Sequence, residues 1–152
     1  MIPLIIELPE MKAVCFEGYS PDPETKAFNK MSQWLKIEEL NKDYRVFGHN
    51  IDAHGNLSFD PQNVGYKVLL VIDHFDPTDI KTEIIQPGKF LVTRAEGEIK
   101  HVGQWLMEGW GKVNKTVQDE NIRVKSSPRW FEEHIKTSNP DYMIVDLFLE
   151  LE

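Results

Sequence analysis

The strongest constraint on this chain is that it repeats itself. The segment Leu8-Pro9-Glu10-Met11-Lys12-Ala13-Val14-Cys15-Phe16-Glu17-Gly18 returns as Ile85-Gln86-Pro87-Gly88-Lys89-Phe90-Leu91-Val92-Thr93-Arg94-Ala95-Glu96-Gly97. Both copies place a proline before a β-branched and aromatic run that closes on Glu-Gly. A helical stretch follows each, carrying Gln33-Trp34-Leu35 in the first half and Gln104-Trp105-Leu106 in the second. A duplicated unit limits the topology more tightly than any single element does.

Apolar spacing supplies the elements. Phe28, Met31, Trp34, Leu35 and Leu40 mostly share one helical face, and Pro21-Asp22-Pro23 starts that helix. Val102, Trp105, Leu106, Gly109, Val113 and Val117 make the stripe of a second helix. Strands are predicted over 12–17, 45–51 and 64–73 in the first half, and over 89–95, 129–135 and 142–151 in the second. The run Val68-Leu69-Leu70-Val71-Ile72 is too apolar for an edge, and Met143, Val145, Leu147, Leu149 and Leu151 alternate as one face of a strand. Asp52-Ala53-His54-Gly55-Asn56 and Phe75-Asp76-Pro77-Thr78-Asp79 carry turn chemistry, and the second joins the halves. Each half reads strand, helix, strand, strand. The expected fold is α+β: two such units, with pseudo-repeats at about 1–78 and 79–152, form one curved antiparallel sheet. Both helices then cover one face, and a ligand cleft lies between the halves.

Composition narrows the function classes. At 152 residues, 41% hydrophobic and 28% charged, the chain suits a single domain with its own core. The run Leu4-Ile5-Ile6 is broken by Glu7, too soon for a secretion signal or a membrane span. The single cysteine, Cys15, reads as a buried thiol in a strand of a reduced, cytoplasmic protein. A net charge of -8 repels phosphate backbones, so direct nucleic-acid binding is not expected.

The most informative segment is Pro128-Arg129-Trp130-Phe131-Glu132-Glu133-His134-Ile135. As a strand it puts Trp130, Glu132 and His134 on one side, with Phe131 and Ile135 on the other. A carboxylate walled by aromatic rings attracts flat or cationic ligands, while its desolvation favours the neutral acid. The competing reading is that Glu132 and Glu133 are solvated strand residues and Trp130 is core. Trp105, Trp110, Tyr66 and Tyr142 are candidate further walls; Trp34 and Trp105 fit an ordinary core by spacing, whereas Trp110 falls off its helix's apolar stripe. His49, Asp52 and His54, and likewise His74 with Asp76, lack a known ligand spacing, so no metal is expected. There is no nucleophile elbow at Ser126-Ser127, and Gly109-Trp110-Gly111 is not a dinucleotide fingerprint, so no cofactor is expected.

With these residues in place, the chain resembles the gyrase-inhibitor-like family, which includes the effector-binding domains of some bacterial AraC-type and MerR-type transcription regulators. The resemblance covers nearly the whole chain. It rests on the duplicated unit, on Pro87-Gly88-Lys89-Phe90 with Glu96-Gly97, and above all on Pro128-x-x-Phe131-Glu132-x-His134 before a final strand. In the family that last motif usually ends in Tyr and its Glu lies at the floor of a drug-binding pocket, a role the resemblance passes to Glu132. His134 departs from that pattern, and Gly97-Glu98-Ile99 stands where the family has Gly-Pro-Tyr.

The resemblance implies a stand-alone module that senses or sequesters hydrophobic small molecules, cationic aromatic ones among them. The second reading is a hydrolase that detoxifies strained electrophilic natural products in the same pocket, with Glu132 as base or electrostatic stabiliser and His134 as proton shuttle. A third is a protein partner, a separate regulator or a topoisomerase that the acidic chain inhibits by competing with DNA.

Overall fold

The computed structural model describes residues 4–40, 43–60, 62, 64–72, 77 and 79–152. The elements run β1 (Leu4–Leu8), β2 (Met11–Tyr19), α1 (Pro23–Ile37), β3 (Val46–Ile51), β4 (Gly65–Val71), β5 (Thr82–Ile85), β6 (Gly88–Glu98), α2 (Val102–Asp119), β7 (Trp130–Ile135) and β8 (Tyr142–Glu150). A single 3-10 turn at Ile99–His101 leads into α2. The fold is α+β, with every sheet pairing described here antiparallel.

The chain divides into two compact units. One is Glu10–Ile85; the other joins the stretch up to Pro9 with Gln86–Glu152. Within the first, the strands lie in the order β3, β4, β2, β5, and α1 packs on β2 and β4. Within the second, the order is β7, β8, β6, β1, and α2 packs on β6 and β8. The two arrangements correspond strand for strand, as the repeat requires.

The predicted strand, helix, strand, strand set appears in both units, and the structure adds a fourth strand to each. That strand comes from the opposite repeat. β1 opens the first repeat but pairs with β6, from Leu4 opposite Val92 to Leu8 opposite Gly88. β5 opens the second repeat but pairs with β2, from Met11 opposite Ile85 to Val14 opposite Thr82. Both are short edge strands, and neither shows a full alternating pattern. Leu4-Ile5-Ile6 was informative as an apolar run, yet its role is to complete a sheet.

Each core follows from the periodicity. In the Glu10–Ile85 unit, Phe28, Met31, Trp34 and Leu35 on α1 pack over Val14, Phe16, Tyr66, Val68, Leu70 and Ile72. All seven residues of β4 are buried, as its unbroken apolar run predicts for a central strand. Leu40 lies just past the end of α1 and still packs against this core. In the other unit, Trp105, Leu106, Trp110 and Val117 pack with Val113 over Leu91, Ala95, Val145 and Leu147. The turn expected at 52–56 forms, with the Asp52 N–H donating to the Asn56 carbonyl and Gly55 at φ 81. The joining turn at 75–79 falls mostly outside the described residues, as do His74 and Asp76.

The Glu-Gly that ends each repeated strand has one physical purpose in both copies. Gly18 lies directly beneath the start of α1, where a Cβ would collide with backbone at Pro23 and Ala27. Gly97 lies beneath α2, where a Cβ would come within 2.5 Å of the Trp105 ring. The missing side chain lets the helix sit close to its sheet.

Candidate functional site

The segment singled out in the sequence is β7, and its register decides which way its side chains face. Trp130 lies opposite Leu149, Glu132 opposite Leu147 and His134 opposite Val145. Directly opposed residues in an antiparallel pair project to the same side. Val145 and Leu147 belong to the core beneath α2, so Trp130, Glu132 and His134 share the helix-covered face. Phe131 turns the other way and meets Phe90, with ring centroids 5.8 Å apart.

On the helix-covered face one contact defines the site. Trp110 of α2 donates its Nε1–H to Oε2 of Glu132 at 3.2 Å. Its ring meets Trp130 edge-on, at 5.5 Å between centroids and 86° between planes. Glu132 is only 6% exposed. A carboxyl group thus sits in the sheet with one indole bonded to it and a second indole two residues along its own strand. Ring edges are positive and ring faces negative, so such a setting offers both a carboxyl group and π-faces to a ligand.

His134 continues this face. Burial pushes its pKa down to about 4, so the imidazole is neutral at physiological pH and adds no positive charge beside Glu132.

A second group of contacts fixes where β7 begins. The Arg129 backbone N–H donates to Oε1 of Glu150 at 3.0 Å, its Nε to the same oxygen at 3.1 Å, and its Nη2 to Oε2 at 2.7 Å. The same guanidinium donates from Nη1 to the Gln86 carbonyl at 2.8 Å and from Nη2 to the Pro87 carbonyl at 3.3 Å. Burial works to raise the Glu150 pKa, but the Arg129 bonds outweigh it and hold the carboxyl at about 2. Bidentate contacts of this kind fix direction as well as supplying energy. The residue immediately before Trp130 is therefore anchored to β8 and to the entry of β6, which sets the strand that carries Glu132.

The other candidate walls have contacts of their own. Trp105 is held over Gly97, and its Nε1–H donates to the Glu98 carbonyl at 2.9 Å. Tyr142 stands opposite Glu98, on the sheet face away from α2, and donates its hydroxyl to Glu96 at 3.1 Å. Tyr66 belongs to the Glu10–Ile85 unit, where it is fully buried beside Phe28. The structure thus brings Trp110, Trp130 and Glu132 together, continues their face with His134, and directs Tyr142 to the opposite face of its sheet. The sequence did not reveal the Arg129–Glu150 grip, because nothing in the spacing of 129 and 150 marks them as neighbours. Trp110 was expected to fall off the apolar stripe of its helix; it packs with that stripe on the core of its unit and still reaches Glu132.

Among the described residues no cluster of His, Cys, Asp and Glu could hold a metal ion. Asp52 instead accepts the backbone N–H groups of His54 and Asn56, at 2.8 and 3.1 Å. No described helix is long and apolar enough to cross a membrane.

No protein-family model matches the sequence, and no curated protein is significantly similar to it. Solved structures do match. The chain shares its fold with the EcmrR C-terminal domain. That likeness has a TM-score of 0.69 at 12% identity and covers 99% of this chain and 97% of the other. SAV2435 bound to tetraphenylphosphonium aligns with a TM-score of 0.56 at 11% identity, covering 100% of this chain and 94% of that one. A hydrolase from Listeria innocua aligns with a TM-score of 0.61 at 11% identity, covering 99% and 91%. At these identities the likeness is one of fold.

Proposed function

We propose that this chain is a small-molecule-binding module that takes hydrophobic, cationic aromatic ligands at Glu132, beside Trp110 and Trp130. The observation that carries this reading is the buried Glu132 carboxyl bonded to the Trp110 indole, with Trp130 at the indole's edge. A buried acid framed by aromatic rings is an economical receptor for a delocalised cation, which brings little hydration to lose and has faces to stack. His134, held neutral by burial, adds no positive charge on that face. Support also comes from fold neighbours: one is the EcmrR C-terminal domain, and another carries tetraphenylphosphonium.

The hydrolase reading uses the same Glu132 and His134, but a histidine at about pKa 4 is a poor proton acceptor at neutral pH. Binding without turnover is the better fit. The protein-partner reading rests on the acidic charge and on the family resemblance, and uses none of these side chains.

The test is titration with tetraphenylphosphonium, followed by tryptophan fluorescence and by the rise in melting temperature that ligation of the folded state produces. Saturable quenching that Glu132→Gln weakens at least tenfold supports the reading. No saturable response to this or any other aromatic cation overturns it. Product accumulating beyond the protein concentration would establish turnover instead.

A further inference from the structure

The edge strands β1 and β5 hold corresponding places in their units but differ in character. β5 is guarded by charge. Glu83 stands within it, half-buried and bound by Lys67 Nζ at 3.1 Å and by the Cys15 thiol at 3.3 Å, and Lys81 immediately precedes the strand. Charges on an edge strand discourage a further strand from adding to it. β1 lacks that guard over Leu4-Ile5-Ile6, where Leu4 is 58% and Ile5 48% exposed. Among the described residues nothing pairs with the outer side of β1.

The ladder shows which groups that outer side presents. The Lys89 carbonyl accepts the Leu151 N–H at 2.8 Å, so Lys89 turns its backbone toward β8, while its neighbours Gly88 and Phe90 turn theirs toward β1. Ile6, opposite Phe90, is therefore bonded to β6, and Ile5 and Glu7 point their N–H and C=O groups outward.

We propose that β1 is a docking edge for a second copy of this chain, the two β1 strands pairing antiparallel about a two-fold axis at Ile6. The proposal is independent of the ligand-binding reading. In this register Ile6 meets Ile6 of the second copy and Leu4 lies opposite its Leu8. Ile5 lies opposite its Glu7, and that pair exchanges the outward N–H and C=O groups on either side of the axis. Each Glu7 then sits between Ile5 of the other copy and its own cross-strand neighbour Lys89. The strand itself selects this partner and register. Centring the pair on Glu7 would set two carboxylates opposite each other. Adding β1 to β5 of another copy would lay apolar side chains against Glu83 and leave an open edge at each end, whereas the β1 pair closes on itself. β7, which carries Glu132, lies at the other end of its unit's strand order.

Sedimentation velocity over a range of protein concentrations tests this, at about 150 mM salt, where the charge of -8 on each copy is screened beyond about 8 Å. Wild type should pass from monomer to dimer without larger species. Ile5→Glu sets a carboxylate opposite Glu7 of the second copy and should raise the dissociation constant about tenfold. Ile5→Lys sets an ammonium there and should leave the constant unchanged or lower it. Ile5→Pro deletes the outward N–H, spares the bonds to β6 and should weaken the dimer as Ile5→Glu does. Ile84→Glu, at the exposed residue of β5, is the control and should change nothing. Melting temperatures confirm that each variant is folded. Wild type that stays monomeric at every concentration overturns the proposal. Equal weakening by Ile5→Glu and Ile5→Lys overturns it too, as the mark of an unspecific apolar contact. So does an undiminished dimer in Ile5→Pro, or a loss in Ile84→Glu that matches Ile5→Glu.

Discussion

Arg129 and Glu150 are joined by three hydrogen bonds, two from the guanidinium and one from the Arg129 backbone. They tie the first turn of chain before β7 to the last residue of β8. Glu150 is 3% exposed and receives Lys125 Nζ at 3.4 Å as well. Glu150→Gln leaves the Arg129 charge without its partner and should cost on the order of 2 kcal/mol, below the range for fully buried pairs because Arg129 reaches solvent. In a domain of this size that lowers the melting temperature by roughly 5 °C.

The same pair predicts an acid limb. The folded pKa of Glu150, about 2, lies below that of an unfolded glutamate, so its stabilisation is complete above the unfolded value and is lost as pH falls toward 2. Urea midpoints of wild type should fall through that window, and those of Glu150→Gln should fall less.

His134 predicts a second limb at higher pH. Its folded pKa, about 4, is depressed by burial, so the unfolded chain takes up a proton that the folded chain refuses. Stability is therefore full above the ordinary histidine value and declines from there down to about pH 4, by at most about 1.4 kcal/mol per pH unit. Burial also lowers the pKa of His49, against the pull of its bond to the Asn50 carbonyl, so that residue contributes in the same direction. His134→Gln should flatten the slope of melting temperature against pH between 6 and 4.5 without abolishing it; an unchanged slope would place the effect on other groups.

Cys15 should be inert in the native protein. Burial, together with the neighbouring Glu83 carboxylate that accepts its S–H at 3.3 Å, pushes the thiol up to about 12, against the pull of Lys67 and Lys81. At pH 8 a disulfide reagent should label it only after unfolding. Glu83→Gln removes the repulsion and leaves the lysines, so native labelling should accelerate.

Gly97→Ala should disturb the Trp105 anchor. The added Cβ would lie 2.5 Å from the ring Cδ1 and 2.7 Å from Nε1, so the indole must shift and its 2.9 Å bond to Glu98 must break. A loss of about 2 kcal/mol is expected for this overpacking, with a red-shifted tryptophan emission as the ring gains water.

The repeat made the architecture legible because duplication and apolar period each specify the same pair of helices and six strands. β4 and β8 were readable from runs that only a central strand or a one-sided strand explains. β1 and β5 were not, because a short edge strand is stabilised by the neighbour it pairs with and needs little pattern of its own. At the site, period two alone placed Trp130, Glu132 and His134 together, and the register confirms that face. Period two could not say whether a helix covered the face, nor that Trp110 would reach Glu132, since that depends on where α2 crosses the sheet. Tyr66 and Tyr142 looked like equal candidates as aromatic residues, and only the sheet register sends one into a core and the other to the opposite surface.

The crossing of β1 and β5 between repeats has a consequence for how such a chain can come apart or arise. A single repeat on its own would have an unfilled place in its sheet and a spare strand with nowhere to pair, which are the two halves of a reciprocal swap between identical subunits. Covalent fusion turns that bimolecular exchange into an intramolecular one, so the completed sheets no longer depend on protein concentration. Dilution, which would dissolve a pair of separate repeats, leaves the tandem chain intact.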